Sequence, residues 1–233
     1  NGPLLDTEGR GLDGPVPQSI LDYCTRHDLE LDRHAGIEAQ AAALADDIAY
    51  DTHDIDDGLR AGLLTLEMLE DVSLPAGILA EVRRLYPKLD PVRTGHELMR
   101  RQITMMVEDA IMTATKRIDD IAPQSVDDIH AAGQPVVVFS DEMRAAEKEL
   151  KAFLYANLYR HPQVMEVRAR ADRVVEELFD RYMEDDSALP EAWRGVADPA
   201  AKARHVADYL AGMTDTYAIK EHRRLFDHTP DFV

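Results

Sequence analysis

Apolar positions along this chain recur mostly with the 3.6-residue period of helices rather than the alternation of strands. Between about Ile37 and Leu69, the residues Ile37, Ala41, Leu44, Ile48, Ile55, Leu59, Leu63 and Leu66 fall on one stripe, the core face of a long helix. Before it, residues 1–17 carry glycines and prolines and read as an irregular loop, followed by a short helix from Ser19 to Arg26. Gly36 marks the turn into the long helix, and Pro75 marks its end. Ala76 to Tyr86 is amphipathic through Ile78, Leu79, Val82 and Leu85. Thr94 to Ile121 is a further long helix, with Leu98, Ile103, Met106, Ala110, Ile111, Ala114 and Ile118 inward. Its methionines read as core filler, and Arg100, Arg101, Lys116 and Arg117 as a solvated face.

Gln134 to Phe139 is β-like but too isolated to build a sheet alone. Ser140 then caps a helix reaching about Tyr159, with Asp141 and Glu142 at its positive end. Val164 to Glu184 is helical, with Val167, Ala171, Val174, Leu178 and Phe179 inward. A loop carrying Trp193 follows, and Asp198-Pro199 opens a last helix through Val206, Leu210, Met213 and Tyr217. The expected architecture is all-α, about seven helices with at most one short β-like segment, in a single helical domain portion over residues 1–233.

The long helix holds an anomaly. Between Asp46 and Gly58 it carries six aspartates in thirteen residues. Asp is a poor former of helix interiors, and like charges four apart, such as Asp47 and Asp51, oppose the helix further. The plain reading is a solvated acidic face; the alternative is a cation or ligand that repays the cost. An EF-hand fails, because aligning Gly58 with the loop glycine puts His53 and Ile55 where carboxylates belong. Asp46, Tyr50 and Asp54 line up one turn apart, roughly opposite the core stripe, over about 12 Å. Asp47 and His53 fall off that line, Asp47 behind it or toward solvent.

Twenty-six basic residues against forty-five acidic ones give a net charge of −19, which argues against general nucleic-acid binding. A polyanionic substrate stays open, since bound cations can reverse the field in one cleft. The one cysteine, Cys24, permits no internal disulfide and fits a cytoplasmic protein. No apolar run reaches membrane-spanning length.

Glu38-Ala39-Gln40, Asp46-Asp47-Ile48-Ala49-Tyr50 and His53-Asp54-Ile55-Asp56-Asp57-Gly58 resemble the signature segment of the deoxyguanosinetriphosphate triphosphohydrolase-like proteins, a branch of the HD-domain phosphohydrolases. Leu150 to Tyr155 with Tyr159-Arg160-His161-Pro162, and Asp208 to Asp215, resemble further segments of that family in the same order. The resemblance implies an HD-domain-like helical bundle and hydrolysis of deoxynucleoside triphosphates to deoxynucleoside and inorganic triphosphate. It implies a divalent metal ion (Mg, Mn or similar) held by two histidines and two aspartates, with Asp46 as one ligand. Tyr50 and Asp54 match residues that contact the deoxyribose. A homo-oligomer is also implied.

The family's upstream histidine and His-Asp pair have no counterpart in the expected context, Arg26-His27-Asp28 and Thr52-His53-Asp54 lacking its surroundings. The expectation is therefore the C-terminal half of a longer enzyme. The competing reading is a non-catalytic helical regulatory or assembly module that kept the fold.

Overall fold

The computed structural model describes every residue except Asn1, Thr7, Asp13 and Val233. The loop expected at the start of the chain is irregular at its described positions. Among the described residues ten α-helices follow: α1 (Gln18–Cys24), α2 (Ile37–Arg60), α3 (Leu66–Leu69), α4 (Ser73–Leu85), α5 (Pro91–Ile121), α6 (Val126–His130), α7 (Asp141–Leu154), α8 (Pro162–Glu184), α9 (Pro199–Ala211) and α10 (Asp215–Leu225). No strand occurs among the described residues. The fold is all-α, and the helices beyond the expected seven come from short turns and from two splits.

The first split ends α2 at Arg60. Gly62 takes a φ of +69°, open to glycine. The Leu63 and Leu64 amides turn back onto the Gly58 carbonyl at 2.9 and 3.0 Å, satisfying a helix-end acceptor. Thr65 then caps α3, its Oγ1 accepting from the Met68 amide. Pro75 does not end a helix; it sits in the first turn of α4, where its missing N–H costs nothing. The second split falls at Gly212–Thr214, where the Thr214 hydroxyl caps α10 and leaves Asp215 in the first turn.

The chain divides into two compact units, residues 1–158 and 159–233. In the first, α2 packs on α5, α5 on α4, and α7 on α2 and α4. Ile48, Ile55, Leu79, Val82, Leu98, Met106, Leu150 and Leu154 are buried in it. Ile103 and Ile111 on α5 face outward instead, Ile111 with 60% exposure. Of the methionines, Met99 and Met106 fill core, while Met105 and Met112 are exposed. The start of α7 is tied down twice: Ser140 Oγ accepts from the Met143 amide, and donates to Asp109 Oδ1 at 2.6 Å. After Leu154 the helix widens into a π-helical turn, Tyr155–Tyr159.

In the second unit α8 packs against α9 and α10 around Val174, Leu178, Tyr182, Leu189, Val206 and Tyr209. Val167, expected inward, is exposed. Tyr182 donates to Glu221 Oε2 at 3.2 Å. Arg224 pairs with the same carboxylate and donates to the Ala188 carbonyl at 2.8 Å. Tyr217, expected in the core, is 38% exposed, with its hydroxyl 3.2 Å from that of the buried Tyr209.

Candidate active-site face on α2 and α7

The helix that carries the aspartates is built from its buried side. Ile48 and Ile55 are sealed against the unit, and Thr52 beside them returns its hydroxyl to the Ile48 carbonyl at 2.8 Å. Thr52 Oγ1 also accepts from Gln102 Nε2 of α5 at 3.3 Å. With that face held, the helical period turns Asp46 and Tyr50 outward: Asp46 is exposed, Tyr50 is 57% exposed, and Asp54 is half-buried. The three stand in the expected order along one side of α2.

Beside this line lies a charged cluster. Lys151 of α7 donates to Asp47 Oδ1 at 3.1 Å and pairs with Glu147 one turn back on its own helix. Asp51, between Asp47 and Asp54, is 1% exposed, and its Oδ2 has no hydrogen-bond partner among the described residues. Burial pushes the Asp51 carboxyl up to about 7; Lys151 opposes the shift, and Glu147, Asp47 and Asp54 add to it. Burial works to lower the Lys151 amine, but its bonds to Glu147 and Asp47 outweigh that and hold it above the ordinary lysine range. Near neutrality Asp51 therefore exchanges a proton while Lys151 keeps its charge. Neither Asp51 nor Lys151 stood out as a functional candidate in the sequence, although Lys151 lies inside a family-like stretch.

Whether these residues fit a metal can be tested on the donor set. Among the described residues one group of His, Cys, Asp and Glu converges closely enough to hold an ion, and it is Glu177, His222 and His228. Asp46 is not part of it. On its own, α2 offers Asp46 as a single carboxylate without converging partners, which does not make a metal site. His53 is exposed on α2, in keeping with its place off the line.

A cavity of about 1120 Å³ lies elsewhere in the first unit, among Leu59, Arg60, Leu64, Thr65, Arg83 and His96. It includes none of Asp46, Tyr50, Asp51, Asp54 or Lys151. The family-like Asp208–Asp215 stretch forms the corner between α9 and α10: Asp208 pairs with Arg204 at 2.8 Å, Tyr209 is buried and Thr214 supplies the cap. No helix among the described residues is long and apolar enough to cross a membrane.

Residues 137–224 match the family described as a phosphohydrolase-associated domain. The chain is 66% identical, over 99% of its length, to deoxyguanosinetriphosphate triphosphohydrolase-like protein 1 of Mesorhizobium japonicum. It is 58% identical to the like-named protein of Brucella ovis and 56% to that of Rhizobium etli, again over 99% of its length. In each case it spans 58% of the relative. Over nearly all of its length the chain is thus similar to deoxyguanosinetriphosphate triphosphohydrolase-like proteins, of which it spans little more than half.

Proposed function

We propose that this chain is part of a phosphohydrolase that cleaves deoxynucleoside triphosphates to deoxynucleoside and inorganic triphosphate. The observation that carries the reading is the line of Asp46, Tyr50 and Asp54 along one side of α2, in a chain whose relatives are named deoxyguanosinetriphosphate triphosphohydrolase-like. In this reading Asp46 supplies one ligand to a divalent metal ion, the remaining ligands coming from outside this chain. The Tyr50 ring forms a flat wall for the deoxyribose and opposes a 2′-hydroxyl sterically. Asp54, two turns along from Asp46, accepts a hydrogen bond from the sugar's 3′-hydroxyl. Lys151 holds Asp47 out of the way and offsets part of the negative field beside the line.

The test is kcat/KM for dGTP, dATP, dCTP, dTTP and GTP in the full-length enzyme. Loss of a buried acceptor costs about 1–3 kcal/mol, more for a charged one. Asp54→Ala is expected to slow all four deoxynucleotides by similar factors of at least about tenfold, and Tyr50→Ala to relax rejection of GTP. Asp46→Ala is expected to abolish turnover and reduce bound metal with helicity intact. A base-selective effect of Asp54→Ala overturns the sugar assignment. A full-length protein inactive on all five nucleotides, metal present, supports the non-catalytic module instead.

We also propose self-association through α5. Val107, Ile111 and Met112 are exposed there, and an apolar groove of about 350 Å³ runs between α2 and α5. Sedimentation is expected to show a dimer or larger species at micromolar concentration, and Ile111→Asp to shift it toward monomer.

A further inference from the structure

Away from α2, three side chains that the proposed reaction does not use converge within the second unit. Glu177 projects from α8, His222 from α10, and His228 from the segment three residues past the end of α10. Glu177 Oε2 lies 2.7 Å from His222 Nε2 and 3.2 Å from His228 Nε2. One ligand atom from each of the three lies within 4.8 Å of the others. Zinc–nitrogen and zinc–carboxylate bonds of about 2.0–2.1 Å at tetrahedral angles separate neighbouring donor atoms by about 3.3 Å, so small shifts of these side chains would admit an ion.

The surroundings hold the imidazoles as metal sites hold theirs. His222 is fully buried, its Nδ1 is 2.9 Å from Thr229 Oγ1, and its ring stacks on Phe226 at 4.5 Å. The Thr229 hydroxyl at Nδ1 and the Glu177 carboxylate at Nε2 fix the ring's orientation, and in the tautomer whose Nδ1–H is given to Thr229 the Nε2 lone pair is turned toward the carboxylate, where a cation would bridge the two. His228 packs edge-on against both Phe226 and His222, at 5.6 and 5.8 Å between ring centres. With a side chain 62% exposed, it leaves a water path to a fourth position.

We propose that Glu177, His222 and His228 bind a zinc-class divalent cation with water as fourth ligand, clamping the segment after α10 onto α8. The donor set of two imidazoles and one carboxylate selects a borderline transition ion over Mg²⁺ or Ca²⁺, which take oxygen. The proposal is independent of the hydrolase reading, since none of Asp46, Tyr50 or Asp54 takes part.

The experiment uses the 233-residue chain stripped with a chelator and titrated with Zn²⁺ alone, then with Zn²⁺ in excess Mg²⁺. One equivalent is expected to bind in both, and to raise Tm by about 4 °C or more at saturation. His228→Gln touches an exposed residue, so the metal-free protein keeps its Tm while Zn²⁺ affinity falls more than about tenfold and the thermal gain is lost. Thr229→Val is expected to weaken binding by about 10–100-fold through the orientation of His222. Asp46→Asn is expected to leave the stoichiometry at one, which separates this site from any metal at α2. No bound Zn²⁺, an unchanged affinity in His228→Gln, or loss of the equivalent in Asp46→Asn each overturns the assignment.

Discussion

At Asp51, burial and charge pull in opposite directions. Its folded value of about 7 lies above the ordinary 3.8, so between those limits the folded chain keeps a proton that the unfolded chain has released. A group raised in this way makes stability fall as pH rises across that window, levelling off above about 7. Asp51→Asn removes the dependence because the amide never ionises. Urea midpoints measured between about pH 5.5 and pH 8 are expected to fall more steeply in the parent chain than in Asp51→Asn. A parallel decline in both would mean that Lys151 holds Asp51 ionised throughout. Periodicity alone did not single this residue out. Asp51 sits about 140° around the helix from Asp46, at the margin of the core face, where a helical wheel does not decide between solvent and burial.

At the scale of elements, the end of α2 depends on how closely Gly58 is approached. A Cβ there would lie 2.6 Å from Leu64 Cδ1 and 2.8 Å from its Cγ, and Leu64 is only 2% exposed. Alanine in place of glycine gains about 1 kcal/mol of helix propensity, but forcing a methyl into a filled site costs about 1–3 kcal/mol. Gly58→Ala is therefore expected to lower the unfolding free energy by a net of up to about 2 kcal/mol, read as a lower urea midpoint with an unchanged m-value. Local signals of this kind carried much of the fold in the sequence. Ser140 and the Asp198-Pro199 pair start helices where their chemistry says they should. The breaks after Arg60 and Ala211 were illegible, because the apolar period runs on through both and a single backbone turn decides them. The line Asp46, Tyr50 and Asp54 was legible because one helix carries it. Lys151 and Glu147 were not, since Lys151 reaches Asp47 across 104 residues and only packing brings α7 to α2. The same holds for Glu177 and its two histidines.

For the whole molecule, an excess of nineteen negative charges sets how it responds to its medium. Many of its ion pairs are exposed pairs one helical turn apart, such as Arg204 with Asp208, each worth little, so screening them loses less than screening the general repulsion gains. Raising NaCl from about 10 to 200 mM is expected to raise Tm, and a fall would show that the exposed pairs dominate. Charge also bears on the one apolar run with strand character, Val136 to Phe139, which stays out of any ladder. The Val136 and Val137 amides donate to Gln40 Oε1 at 2.7 and 3.0 Å, while Gln40 Nε2 donates to the Ala35 carbonyl at 2.7 Å. Gln40 thus occupies the donors that a neighbouring strand would otherwise seek. Its replacement by leucine leaves the buried Val136 amide orphaned, at about 1–3 kcal/mol, and frees a short β-prone segment to pair with another chain. Gln40→Leu is expected to form thioflavin-binding aggregates on long incubation near the isoelectric point, where mutual repulsion is weakest, while the parent chain at the same pH does not; that outcome would make one amide side chain the guard of this acidic helical protein against polymerisation.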